Sequence, residues 1–255
     1  MPNRFAEDVM VKDQKKDMWD VFDRKVVLYF TGNKGTRVDG MESELERVGL
    51  SDADRQWNFP NPLDKVLLRN LGHIPSIERG GYMNCTMGHY RAISTAYHMG
   101  CRSVLIMEDD IRFLIDIGEI EKVLESMPAD YDLVMLDYFY RHCDKKTGCV
   151  ERWKVERKVN DDWAEFDMMH SAGCYALSKR GMERILNCYH ATTNKRDALR
   201  ICDHYFDRGR LGEDTKMYFP VRNMCVQVDT GAANTKGSVA SRYIATNVDL
   251  SKYAH

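Results

Sequence analysis

The chain has 255 residues, a size that one hydrophobic core can still serve, because single cores grow to about 250–300 residues before splitting. Its 37 basic and 39 acidic residues leave a formal net charge of −2, which argues against nucleic acid as a partner, and 44% hydrophobic with 30% charged residues is the composition of a globular chain. No apolar run approaches the roughly 20 residues that span a bilayer and the N-terminus shows no signal-peptide segment, so no transmembrane segment is expected and the default compartment is the cytoplasm, with peripheral attachment to a membrane left open.

Residues 1–24 are charge-rich and weakly periodic, which predicts a surface helix or a frayed arm. Residues 26–30 (VVLYF) are a continuous β-branched and aromatic run, the pattern of a buried strand in a mostly parallel sheet. The turn TGNKGTR follows, and then Val38, Met41, Leu45 and Val48 fall at helical spacing, with Thr36 as N-cap and Gly49 past the helix end. Strand, Gly-rich turn and amphipathic helix open a βαβ unit, which puts ligands at the carboxyl ends of its strands and offers backbone N–H groups to phosphate.

Beyond a segment containing Pro60, Pro62 and Pro75, residues 86–99 read as a helix stopped by Gly100, and 103–107 as a second buried strand. A helix near 119–127 closes at Pro128, and 132–136 gives a third strand. From 138 to 170 the pattern turns irregular, polar and aromatic, with one candidate strand at 149–155, as suits an acceptor-facing insertion. Regularity returns at 173–177, then in a helix with Met182, Ile185, Leu186 and Tyr189 on one face. Another helix near 197–209 and short strands near 217–219 and 224–228 follow, and the last 25 residues read as a loop or tail. The eight cysteines include no Cys-x-x-Cys pair, so neither a zinc cage nor a redox motif is signalled, and Cys174 and Cys225 read as buried thiols.

The sharpest chemical feature is SVLIM followed by Glu108, Asp109 and Asp110, three consecutive carboxylates ending a strand that has no charge of its own. Alternate side chains of an extended chain share a face, so Glu108 and Asp110 point one way and Asp109 the other. Mg²⁺ and Mn²⁺ prefer oxygen ligands and take one or two carboxylates when substrate phosphates complete the shell. A solvated acidic turn is the competing explanation of the triplet.

The stretch NCTMGHYRAISTAYHMGCRSVLIMEDDIRF resembles the core of the family 25 glycosyltransferases, the lipooligosaccharide and collagen galactosyltransferase family, through Cys85, His89, Gly100, Glu108, Asp109 and Asp110. Asn84 and Gly88 depart from the family's Gly and Ser at those places. Arg37 with its following helix is similar to the family's Arg-led first helix, and Gly173, Tyr175, Ser178, Lys179 and Gly181 to a later Gly-x-x-Tyr-x-x-Ser-Lys-x-Gly segment. ICDHYF and KMYFPVRNMCVQ resemble its closing elements through Asp203, Pro220 and Gln227, so the likeness runs over about residues 25–230.

That resemblance implies a GT-A-type α/β fold with a mostly parallel central sheet flanked by helices, a UDP-sugar donor with UDP-galactose first and UDP-glucose or UDP-xylose next, Mn²⁺ or Mg²⁺, and inversion at the anomeric carbon. The acceptor would be a hydroxyl of a glycan, glycolipid or glycoprotein. The chain then divides into an arm (1–24), one catalytic domain (25–230) with a nucleotide-binding half (25–137) and an acceptor-side half (138–230), and a tail (231–255). Asp110 would bind the metal, with Glu108 and Asp109 supporting it or touching the ribose, and Thr31 and Arg37 would lie near the nucleotide. An exposed helix-start arginine is the plainer reading of Arg37. His89 lies on an apolar helix face, which suits a buried hydrogen-bonded histidine as well as a donor contact, and His170 could meet donor, acceptor or solvent.

Inversion needs a base for the acceptor hydroxyl, and Asp203 is the candidate, with a helix N-cap as its alternative and Asp161, Asp162, Glu165 and Asp167 as rivals. Trp153, Trp163 and Tyr138 are candidates for stacking on an acceptor sugar or for core packing. No histidine lies between His204 and His255, where a GT-A enzyme often has a metal ligand. Two other functions use the same features: a metal-dependent sugar nucleotidyltransferase, and a degenerate glycosyltransferase that binds nucleotide or glycan without turnover.

Overall fold

The structure, a computed structural model, describes residues 17–30, 36–59, 80–137, 155–167, 172–191 and 206–227. Residues 1–16 of the arm expected over 1–24 lie outside the described residues. A 3-10 turn at Met18–Val21, capped by the Asp17 carboxylate on the Trp19 amide, sends Trp19 and Phe22 into the core, where the Trp19 indole donates to the Val48 carbonyl at 2.7 Å. Charged neighbours mask these two aromatics in the sequence, but their burial dominates the local energetics.

β1 (Arg24–Phe30) is the strand expected at 26–30, and α1 (Thr36–Arg47) follows it. Gly49, at φ 78°, ends that helix by letting the Leu50 N–H reach the Leu45 carbonyl at 2.7 Å. β2 (Asp54–Asn58) is an edge strand not foreseen from the sequence, since its charged and exposed residues carry no apolar alternation. α2 (Gly80–His98) starts at Gly80 and not at 86: its glycines weaken the helical signal, while the Asn84 amide ties the first turns to the Asn58 carbonyl at 3.1 Å.

β3 (Ser103–Glu108), buried throughout, leads through the Asp109-Asp110 turn into β4 (Ile111–Phe113). α3 (Ile117–Glu125) opens on a capping box in which Asp116 and Glu119 satisfy each other's backbone N–H groups. β5 (Leu133–Met135) precedes a second departure, because part of the segment read as irregular is an antiparallel pair, β6 (Val155–Lys158) and β7 (Trp163–Phe166). β8 (Cys174–Ser178), α4 (Lys179–Ala191), α5 (Arg208–Leu211), β9 (Met217–Pro220) and β10 (Cys225–Gln227) complete the described elements.

Eight strands form one sheet in the order β2-β1-β3-β8-β5-β9-β7-β6, and β10 pairs separately with β4. The pairings set six of the eight strands in one direction and only β8 and β7 against them. This is the α/β architecture expected, a mostly parallel central sheet flanked by helices. Alternation along each strand feeds two cores. Val26, Leu28, Val104, Ile106 and Tyr175 pack with Ala92, Ile93 and Ala96 of α2 and Met182 and Ile185 of α4. Val27, Tyr29, Leu105, Met107 and Cys174 pack on the other face with Met41 and Leu45 of α1 and Ile120 and Leu124 of α3. The expected halves at 25–137 and 138–230 share this one sheet, because β8 lies between β3 and β5.

Candidate functional site at the β1/β3 crevice

β1 has β2 on one side and β3 on the other, both parallel to it, so connections leave the carboxyl ends of β1 and β3 in opposite directions and open a crevice there. The acidic triplet occupies that point. The Phe30 amide at the end of β1 donates to Asp109 Oδ2 at 3.2 Å, which stitches the two strand ends together. Arg37, in the first turn of α1, places one guanidinium nitrogen 2.7 Å from Asp109 Oδ1 and 2.7 Å from Asp110 Oδ2. It is buried, not the exposed arginine of the plainer reading.

Glu108 turns toward α2 and β10. Its Oε1 accepts from His89 Nε2 at 3.0 Å and from the Cys85 thiol at 3.4 Å, and its Oε2 accepts from the Gln227 amide at 2.6 Å. The same amide lies 3.4 Å from Asp110 Oδ1, so Gln227 joins Glu108 to Asp110. His89 is fully buried, and its Nδ1 is 2.8 Å from the Tyr175 hydroxyl. Burial would lower the pKa of His89, but hydrogen bonds with Cys85 and Glu108 prevail and raise it to about 10.

Asp137, just past β5, is a fourth acid here and fully buried: a Cβ on Gly173 would collide with its Oδ2 and with Gln227 Cγ at 2.7 Å. Gly173 is thus the small residue that lets β4, β10 and Asp137 converge, and its carbonyl accepts from the Glu108 amide at 2.7 Å. Among the described residues, four carboxylates here meet two cationic side chains, Arg37 and His89. Asp110 registers the excess: burial first, then Glu108, Asp109 and Asp137 against the opposing pull of Arg37, raise its pKa to about 8. An oxygen-rich site in which, among the described residues, carboxylates outnumber cationic side chains has the donor chemistry of a hard divalent cation.

Thr31, His170 and Asp203, with Tyr138 and Trp153, lie outside the described residues. Trp163 is not a stacking platform; it is fully buried, with its indole N–H on the Val123 carbonyl at 3.0 Å. The rival bases belong to the β6–β7 end of the sheet, separated from β3 by β8, β5 and β9. Asp161 pairs with Lys158 at 2.9 Å, Asp162 accepts from the Ser126 hydroxyl at 2.7 Å, Glu165 meets Arg157 at 2.9 Å and Asp167 meets Arg208 at 2.9 Å. Each of the four therefore has a structural partner.

Asp137 and Asn58 were not singled out from the sequence. For Asp137 a signal existed, since LVML-Asp repeats the pattern of an apolar strand ended by an acid. Asn58 explains the departure at position 88: its side chain lies 3.0–3.1 Å from where a Cβ on Gly88 would be, so a larger residue would press on it.

No family model and no curated protein matches the chain. Among solved structures it is similar to a mannose-1-phosphate geranyltransferase from Thermus thermophilus (TM-score 0.41, 10% identity, 77% of this chain and 73% of that one). It is also similar to mouse xyloside xylosyltransferase 1 (TM-score 0.34, 10% identity, 74% and 78%) and to A197 from STIV (TM-score 0.38, 13% identity, 77% and 81%). At these scores the likeness carries no argument about activity.

Proposed function

We propose that this chain is a metal-dependent inverting glycosyltransferase of GT-A type, related to family 25, that moves a sugar from a UDP-sugar to a hydroxyl of a glycan or glycoconjugate. The observation that carries this reading is the cluster of carboxylates, Glu108, Asp109, Asp110 and Asp137, gathered at the carboxyl ends of the central strands, where open α/β sheets bind their ligands. Asp110 and Glu108 would hold Mn²⁺ or Mg²⁺, which when bound supplies positive charge to the donor diphosphate. Arg37 keeps Asp109 and Asp110 in place, and its buried Nε has no hydrogen-bond partner among the described residues, leaving a donor for the nucleotide. Thr31 and His170 are assigned to the same donor, and Asp203 to the acceptor hydroxyl, whose proton its carboxylate accepts as the new bond forms. UDP-galactose is the preferred donor on resemblance alone.

The test is thermal unfolding with UDP and UDP-galactose, in Mn²⁺ and in chelator. Stabilisation of about 2.7 kcal/mol at a hundredfold excess over Kd is expected only with metal, and should vanish in Asp110→Asn. Equal stabilisation in chelator overturns the shared-metal assignment. Asp203→Asn should retain metal-dependent UDP binding and lose transfer about 10²–10⁴-fold. Release of pyrophosphate from a nucleoside triphosphate and a sugar phosphate, without transfer from UDP-sugars, would make the chain a nucleotidyltransferase instead.

A further inference from the structure

Behind the acidic turn lies a second group of ligand atoms with different chemistry. Cys85 and His89 stand four residues apart on α2 and so share one helix face. Cys85 Sγ, His89 Nε2 and Glu108 Oε1 converge, with the sulfur 3.4 Å and the ring nitrogen 3.0 Å from the carboxylate oxygen, and all three atoms lie within 4.8 Å of one another. Around a tetrahedral ion with ordinary zinc–ligand distances the donor atoms would be roughly 3.4–3.6 Å apart. A shift of a few tenths of an ångström would bring the sulfur–oxygen and nitrogen–oxygen separations to that geometry, and the sulfur and the ring nitrogen start within 4.8 Å of each other.

We propose that Cys85, His89 and Glu108 form a binding site for a borderline-soft divalent cation of the Zn²⁺ class, separate in chemistry from the Asp110 site. A thiolate and an imidazole select zinc over magnesium or manganese, which favour oxygen. On binding, the ion displaces the Cys85 thiol proton and one ring proton of His89 to solvent; the thiolate and the Glu108 carboxylate then neutralise the dication, with His89 a neutral ligand, so the buried ion carries no net charge into the protein. Tyr175 supplies the outer partner that ligating histidines require: its hydroxyl is 2.8 Å from His89 Nδ1, and its ring stacks on the imidazole at 5.7 Å. Three protein ligands leave a fourth position for water, as in open zinc sites. Cys85 is half-buried. Glu108 uses Oε1 here and Oε2 toward Gln227 and Asp110, so one carboxylate borders both sites. Glu108 belongs to the donor reading as well, but Cys85 does not, so loss of the band in Cys85→Ser with its survival in Asp110→Asn tells failure of this site from failure of the donor reading.

The test is Co²⁺ titration of the chelator-stripped full chain, followed by near-ultraviolet and visible absorption. One equivalent should produce a thiolate-to-cobalt charge-transfer band with visible bands of tetrahedral intensity, and Zn²⁺ should displace them while Mg²⁺ does not. Cys85→Ser should abolish the charge-transfer band, Asp110→Asn should leave it, and Tyr175→Phe should weaken affinity about 10–100-fold through the lost outer partner. Circular dichroism on the same samples shows that each variant is folded. Absence of the band in the folded wild-type chain overturns the site, and so does a band that survives in Cys85→Ser.

Discussion

Strand β5 has a fully buried aspartate just beyond each end, Asp132 before it and Asp137 after it, and the two ends are built in opposite ways. Asp132 accepts from Arg180 at 2.5 and 2.8 Å and from the Lys216 amide at 2.9 Å, with Arg184 3.9 Å away. One carboxylate there meets two guanidinium groups. Asp137 instead shares its end with Glu108, Asp109 and Asp110, and the Arg37 guanidinium reaches only the last two. Burial of an acid is thus not in itself a mark of function, whereas a cluster of acids that raises the pKa of one of its own members marks a candidate site.

The heaviest loss is expected at the compensated end. Asp132→Ala removes the acceptor of the Lys216 amide and of half-exposed Arg180, while Arg184 keeps Asp214 and the Leu211 carbonyl; it should cost about 3 kcal/mol, read as the midpoint of urea unfolding, and a loss below about 1 kcal/mol would show that the pairing is ornamental. Gly181→Ala comes next, because its Cβ would strike the Asp132 carbonyl, a backbone atom that cannot swing aside. It should cost up to about 3 kcal/mol while leaving nucleotide binding intact.

At the acid-rich end the expected signature is pH dependence. The Asp110 carboxyl is held above its ordinary value of 3.8, at about 8, so the folded protein binds a proton there that the unfolded chain gives up. Its contribution to stability is present at low pH and is lost as pH rises toward and through 8. In chelator, the melting temperature should fall by a few degrees more in wild type than in Asp110→Asn between about pH 5 and pH 8, and saturating Mn²⁺ should erase the difference. Parallel curves for the two proteins would remove the electrostatic basis of the donor-site assignment. Gly173→Ala should be the mildest of these changes, since its Cβ meets side chains that can move, Asp137, Gln227 and Ile111. About 1 kcal/mol of stability should be lost, with a larger loss of metal-dependent UDP binding than of stability.

The parts of this site that the sequence reveals are those where a local pattern and a chemical change coincide. SVLIM shows a strand and Glu108-Asp109-Asp110 its end, and Gly49 and Gly100, both at φ 78°, mark helix ends that only glycine adopts without strain. Partners supplied from afar are not written locally. Gln227 reaches Glu108 across 119 residues, and Tyr175 reaches His89 across 86. β2 and β6 escaped because edge strands exposed to solvent carry charge in place of alternation, as Arg55 and Lys158 do. Trp19 was hidden for the converse reason, a single core anchor among charged neighbours.

The position of β8 also bears on how the chain acquires its structure. Residues 174–178 run antiparallel between β3 and β5, so a nascent chain that has emerged as far as residue 137 holds both neighbours without the strand that joins them. Loop closure over that separation must come before the pairing that rewards it, which makes folding slow and leaves two apolar strand edges open meanwhile. A fragment ending at residue 137 should therefore aggregate and not fold, although it carries the whole acidic turn. The carboxylates of that turn are made early, and the sheet that holds them in register closes only when the ribosome has delivered residue 178.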